Sequence, residues 1–368
     1  MLRRAGLVWA AVVGALLMGG VGESGASLPS LVPITSINVL GAATADATLG
    51  LRTTFYEPPT LADPATPGTT IVSGADQPDP FMLEQGGHSY LFTSQVKGFA
   101  NVPVHEGKKI GQWGPLIDAL PDLPAWAAPG FTWAPDVHRF GHRYILYFTA
   151  LVKHSNPGMQ CIGDAISTKV TGPYLSSPVP FICQTTMGGS IDPRTFVDAD
   201  GTTYMVWKSD ENSIADSTDN TNIFSQRLST DGLSLLGQPV RIFGPDEAWQ
   251  GHIVEAPELV LVRGSYYLFY SGGWFNQPGY AIGAAPCAGP LGPCIDTSST
   301  PLLASNAQGA GPGEESVFTD ARGIWMLYTP FRSTLPLPGP PRPVAMARLG
   351  FDPAGPYLAS PTSVSTGT

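Results

Sequence analysis

Apolar residues alternate with polar ones in short runs that return five times along this chain. Each run is opened by an acidic or polar residue, broken by a turn and completed by an aromatic strand. The copies begin at Asp79 (DPFMLEQGGHSYLF), Asp136 (DVHRFGHRYILYF), Asp192 (DPRTFVDADGTTYMVW), Glu258 (ELVLVRGSYYLFY) and Ser316 (SVFTDARGIWMLY), spaced 57, 56, 66 and 58 residues apart. Period-two alternation predicts strands. The breaks Gln85-Gly-Gly, Gly141-His, Asp198-Ala-Asp-Gly, Arg263-Gly and Asp320-Ala-Arg-Gly supply the positive φ that hairpin turns need. Fainter third strands are predicted at 161–167, 223–229, 280–286 and 344–351. A hairpin returning at this interval predicts an all-β, five-bladed β-propeller over residues 74–357, in which the first strand of every blade meets one axis.

The flanks read differently. Residues 1–26 have the pattern of a cleaved export signal: Arg3 and Arg4, an apolar stretch from Leu7 to Met18, then Gly25-Ala26. This predicts a secreted protein with no stable membrane insertion after cleavage; retention of the segment as an anchor is the alternative. Residues 27–73 form an N-terminal linker or ring-closing segment, with Leu51–Tyr56 as a candidate closing strand, and residues 358–368 a Ser/Thr/Pro tail. Two inserts, 99–131 (with Trp113 and Trp126) and 209–221, are expected to shape access to the axis. If both wall it in, chain-end cleavage follows; if they fold away, an open groove suits internal cleavage.

Four cysteines suit an exported protein. Three pairings are open; the expected one joins nearest neighbours, Cys161–Cys183 and Cys287–Cys294. No Cys-x-x-Cys spacing supports zinc. The net charge of −10 argues against a nucleic-acid or anionic-membrane partner, both of which need basic stripes, and is compatible with a neutral carbohydrate. Phosphate-binding glycine loops and a nucleophile elbow are absent.

Three acids stand where repeats open: Asp79 in QPDPF, Asp192 in SIDPR and Glu255 in IVEAPEL. Brought to one axis, they cannot all ionise cheaply. Glycoside hydrolysis uses that inequality, with a protonated acid at the leaving oxygen beside an ionised base.

With the further markers Trp133-Ala-Pro-Asp-Val and Gly311-Pro-Gly-Glu-Glu-Ser-Val-Phe, the chain resembles glycoside hydrolase family 43. These are five-bladed propeller arabinanases, α-L-arabinofuranosidases and β-xylosidases. The resemblance implies Asp79 as general base, Asp192 as the residue that orients and tunes the acid, and Glu255 as general acid in an inverting mechanism. Arg342 is the implied counterpart of a sugar-contacting arginine. It further implies a polysaccharide or oligosaccharide substrate and a monomer. An α-L-arabinofuranosidase or β-xylosidase is the first expectation, with endo-1,5-α-L-arabinanase or a non-catalytic carbohydrate-binding propeller as alternatives. No cofactor is required. Relatives often carry a histidine where Glu314 stands; calcium or another cation drawn by this glutamate, an ordered water, or no ion remain open. Ala256 replaces a commoner glycine.

Ordinary roles compete with these. Asp-Pro also opens plain strands. Asp136 and Glu258 are expected to be structural, and Asp198, Asp200 and Asp320 to be solvated turn residues. Trp133 either stacks on a sugar or fills the gap between blades. Core packing is expected for Trp274 and Phe275, with a place on the pocket rim as the alternative, and a loop position for His252, with the pocket lining as its alternative.

Overall fold

The computed structural model describes residues 70–155, 158–306, 309–331 and 342–359. Strand β1 is Thr70–Ser73. Blade one comprises β2 (Phe81–Gln85), β3 (His88–Phe92), β4 (Pro103–Gly107) and β5 (Ile117–Asp118). Blade two comprises β6 (Ala127–Phe140), β7 (Arg143–Val152), β8 (Gln160–Ser167) and β9 (Leu175–Ser176). Blade three comprises β10 (Ser190–Val197), β11 (Thr203–Ser209), β12 (Ile223–Leu228) and β13 (Leu235–Phe243). Blade four comprises β14 (Val254–Val262), β15 (Ser265–Gly272) and β16 (Ala281–Cys287). Blade five comprises β17 (Ala310–Asp320), β18 (Gly323–Phe331), β19 (Val344–Asp352) and β20 (Gly355–Ala359). All neighbouring strands are antiparallel, so this is the expected all-β, five-bladed propeller.

Period-two alternation builds the ring. In β7, Ile145 and Tyr147 face the seam with blade three, while Leu146, Phe148 and Ala150 face the seam with blade one. Met205 and Trp207 of β11 likewise join blade two, and Val206 joins blade four. Middle strands are therefore buried on both faces, each large side chain contributing about 1.5–3 kcal/mol. A seam packing Val72, Met82 and Leu91 against Phe318, Leu327 and Met346 closes the circle. The first and last described strands both edge blade five: β1 pairs with β19 from Met346 to Val344, and β20 pairs with the other half of β19. The leader 1–26, most of segment 27–73 including Leu51–Tyr56, and residues 360–368 lie outside the described residues.

Two expectations change. Insert 99–131 holds the two outer strands of blade one, β4 and β5, and the first residues of β6. Antiparallel order puts the β4–β5 turn at the end opposite the openings of β2, β6, β10, β14 and β17. Trp113 packs at the outer edge of the ring, donating from Nε1 to the carbonyl of Val72 at 2.7 Å, and Trp126 stacks on Phe148. The strand was hidden because its sequence, PVHEG, lacks the aromatic alternation of the other blades.

The second change is register. The ladders β6–β7, β10–β11, β14–β15 and β17–β18 each skip two inner-strand residues, Ala134-Pro135, Asp192-Pro193, Ala256-Pro257 and Glu314-Glu315. In blade one, Pro78 and Phe81 take the flanking bonds and Asp79-Pro80 is skipped. Equivalent residues are thus Asp79, Ala134, Asp192, Ala256 and Glu314, all in the left-handed region at φ 46–56°. Asp136, Glu258 and Ser316 stand two residues deeper than Asp79 and Asp192. The period-two pattern is blind to a shift of two, because both registers put the same residues on the same face. Proline in four of the five bulges costs no ladder bond there.

Candidate active site

Each bulge turns a side chain or its neighbour toward the axis at the mouth end, where β2, β6, β10, β14 and β17 begin. A left-handed backbone costs a non-glycine residue about 1–2 kcal/mol, and such strain gathers at functional positions. The seams hold these backbones in place. Ser94 Oγ accepts the N–H of Ala134 at 2.9 Å, Thr149 Oγ1 that of Asp192 at 3.1 Å, and Ser271 Oγ that of Glu314 at 2.9 Å. Between blades three and four a carboxylate takes the hydroxyl's place: Asp192 Oδ2 accepts the N–H of Ala256 at 3.1 Å.

The three predicted acids converge. Asp79, half-buried, accepts a hydrogen bond from Ser94 Oγ. Asp192 and Glu255 are buried. Burial first, then the charge of Glu255, raises the Asp192 carboxyl to about 7, with Asp79 adding to the rise and Lys208 opposing it. Glu255 lies one residue before the bulge of its blade. Tyr280 donates to its Oε1 at 2.7 Å, and Lys208 Nζ lies 3.2 Å from its Oε2.

Lys208 and Tyr280 were not anticipated. Lys208, 1% exposed at its side chain, also bonds Asp210 at 3.0 Å and Asn212 at 2.9 Å. Burial alone would depress this ammonium; the charges of Asp210, Glu255 and Asp192 outweigh it and raise it. A lysine inside the aromatic strand TYMVWKS was the available signal. Tyr280 was readable only as the start of a third strand.

Glu314 is partly exposed and its Oε1 lies 2.8 Å from the Tyr280 hydroxyl. Burial, then the charges of Asp79, Asp192 and Glu255, push its carboxyl well above the ordinary range. As for a cation at Glu314, no group of three or more His, Cys, Asp or Glu side chains among the described residues is arranged to hold a metal ion.

One layer deeper, Arg194 lies 3.2 Å from Glu258 and 4.0 Å from Asp136. Asp136 Oδ2 also accepts from Thr195. These two acids are structural, as expected. His252 is an exposed loop residue bonded to Asn220.

Trp133, just before its bulge, is half-buried with its ring edge-on to Phe131. Arg342 opens β19 at the mouth end. Its guanidinium lies 5.7 Å from the Phe275 ring and 5.9 Å from that of Phe331, and its Nε is 4.0 Å from Asp76. The core expectation for Trp274 and Phe275 fails, since they are 54% and 43% exposed. They follow β15 in a connection whose short length cannot fold back over a blade. With Phe99 and Phe131 they are the exposed phenylalanines and tryptophans among the described residues, and all four belong to the mouth end. Both expected disulfides, Cys161–Cys183 and Cys287–Cys294, are formed.

The model of glycosyl hydrolases family 43 matches residues 69–356, and the chain belongs to that family. It is 26% identical over 272 residues to the extracellular endo-alpha-(1->5)-L-arabinanase 2 of Bacillus subtilis (strain 168), covering 67% of this chain and 54% of that protein. It is 27% identical over 228 residues to a beta-D-galactofuranosidase of Aspergillus niger, covering 58% of this chain and 60% of that one. The chain thus spans little more than half the length of these two relatives. A crystal structure of a thermostable family-43 glycoside hydrolase superposes with a TM-score of 0.69 at 26% identity, covering 82% of this chain and 96% of that one.

Proposed function

We propose that this protein is an exported, monomeric, inverting glycosidase of pentose or furanoside glycans. Asp79 deprotonates the water that attacks the anomeric carbon. Glu255 protonates the departing oxygen, and Asp192 orients it through its bond to the N–H of Ala256, the next residue on the strand that carries Glu255. The observation that carries this reading is the convergence of Asp79, Asp192 and Glu255 at one end of the ring: Asp192 Oδ2 bonds the strand that carries Glu255, and the charges of Glu255 and Asp79 both raise the Asp192 carboxyl. Two acids with different proton affinities in one site are what a single-displacement hydrolysis requires. Exposed aromatic rings around the mouth suit the apolar faces of sugars, with Trp133 and Arg342 as sugar contacts.

α-L-Arabinofuranosidase and β-xylosidase activities fit this site. Endo-1,5-α-L-arabinanase activity is the second reading, supported by the likeness to the endo-arabinanase of Bacillus subtilis over 67% of this chain. Export is supported by the two disulfides. The test is a panel of aryl α-L-arabinofuranoside, aryl β-D-xyloside, aryl galactofuranoside, linear arabinan and xylo-oligomers. Release from at least one is expected, and the size of the first arabinan products separates internal from terminal cleavage. Binding without release from any would overturn the reading.

A further inference from the structure

Tyr280 stands between two carboxylates, with Glu255 Oε1 at 2.7 Å and Glu314 Oε1 at 2.8 Å from its hydroxyl. A phenol has one proton to donate. It can satisfy one carboxylate only; the other must bring a proton of its own. The far oxygen of Glu255 is taken by Lys208 at 3.2 Å, so a proton on Glu255 belongs on Oε1, directed away from the phenol, whose own proton that oxygen still accepts. The carboxyl that must bring a proton to Tyr280 is then Glu314.

The ring of Tyr280 has no freedom to leave. It is 2% exposed, and a Cβ added at Gly313 would overlap its ring carbons. Gly311 and Gly313, read from the sequence only as part of a family marker, thus make the bed on which this phenol lies, next to the bulge that carries Glu314.

We propose that Glu314 is held as a neutral carboxylic acid and that Tyr280 passes its proton to Glu255 after each turnover. This rests on Glu255 being the general acid. Once Glu255 has protonated the leaving oxygen, the phenolic proton moves to Glu255 Oε1 and the Glu314 proton moves to the phenol oxygen. Tyr280 is neutral again, Glu255 is an acid again, and Glu314 is a carboxylate that regains a proton from water at its exposed side. The proton taken up by Asp79 leaves to solvent, so the cycle balances. Glu314 and Tyr280 are positioning residues that supply the acid.

The surrounding charges are consistent. Asp79, Asp192 on β10 and Glu255 on β14 all disfavour a charge on Glu314. The nearby cation is Lys208 on β11, bound to Asp210 and Glu255. On the other side of β17, Glu315 is occupied by Ser271.

The experiment uses Tyr280→Phe and the isosteric Glu314→Gln in the full chain. In Tyr280→Phe, kcat on a substrate with a poor leaving group should fall about 10- to 100-fold. An aryl glycoside with a good leaving group should lose at least ten-fold less. In Glu314→Gln, which keeps a bond to Tyr280 but brings no acidic proton, the basic limb of kcat/KM should move down by about one pH unit. The infrared difference, wild type minus Glu314→Gln at neutral pH, should show a protonated carboxyl C=O stretch. A carboxylate band in that difference, or equal losses on both leaving groups, overturns the relay alone. A wild type inactive on every glycoside overturns the functional reading and the relay with it.

Discussion

The backbone N–H of Ala256 donates to Asp192 Oδ2 at 3.1 Å, tying the acid of blade three to the strand that carries Glu255. At three of the other four bulges the same backbone group is held by a serine or threonine hydroxyl. Blade three therefore spends a buried carboxylate on a bond that a hydroxyl makes elsewhere. The carboxylate brings charge to Glu255 as well as position. Asp192→Asn keeps an acceptor for Ala256 and removes the charge, so kcat should fall about 100-fold with little change in folding. Asp192→Ala, which also strands the N–H, should lose both activity and about 1–3 kcal/mol of stability in denaturant unfolding.

Ala256 has φ 51°. Glycine adopts that backbone freely. Ala256→Gly should raise unfolding stability by about 0.5–1 kcal/mol, the relief of left-handed strain less the added chain entropy. Ala256→Val should lower it, since a β-branched residue fits that region worst.

Lys208→Met removes the cation between Asp210 and Glu255. Leaving those buried charges unpaired should cost about 3–5 kcal/mol of stability. Without the ammonium, which opposes the rise of the Asp192 carboxyl, Asp192 holds its proton to higher pH. The basic limb of the kcat/KM profile should accordingly move upward, opposite in sign to Glu314→Gln.

Glu315 is buried, and burial raises its carboxyl from 4.5 to about 8, with the Ser271 bond opposing the rise. Between those two pH values the folded chain holds a proton that the unfolded chain has released. Its contribution is complete below 4.5 and is lost as pH rises through 8. Glu315→Gln should therefore stabilise the protein by about 2 kcal/mol at pH 8 and by far less at pH 5. Denaturant unfolding at the two pH values checks this.

What was legible in the sequence has a physical basis. Tyr147 and Phe148 announce a middle strand buried on both faces, since such strands need large side chains at every position. Asp79 and Asp192 stand out because proline follows them, and proline marks the bulge. The true register hid behind Ala134 and Ala256, which occupy equivalent positions without a functional group. Asp136 and Glu258 mimic the acids two residues away and find their partner, Arg194, only when the ring closes. Lys208 and Tyr280 act through contacts with strands far off in the chain, which local pattern cannot show. Trp274 and Phe275 were misjudged because an exposed aromatic pair and a core pair read alike until the connection that carries them is placed.

The most direct test of the central claim, a water activated by Asp79 and displaced against Glu255, is proton NMR of the anomer first released from whichever glycoside is cleaved. The account predicts a product of inverted configuration, appearing before mutarotation. A first product that retains the configuration of the substrate would contradict it.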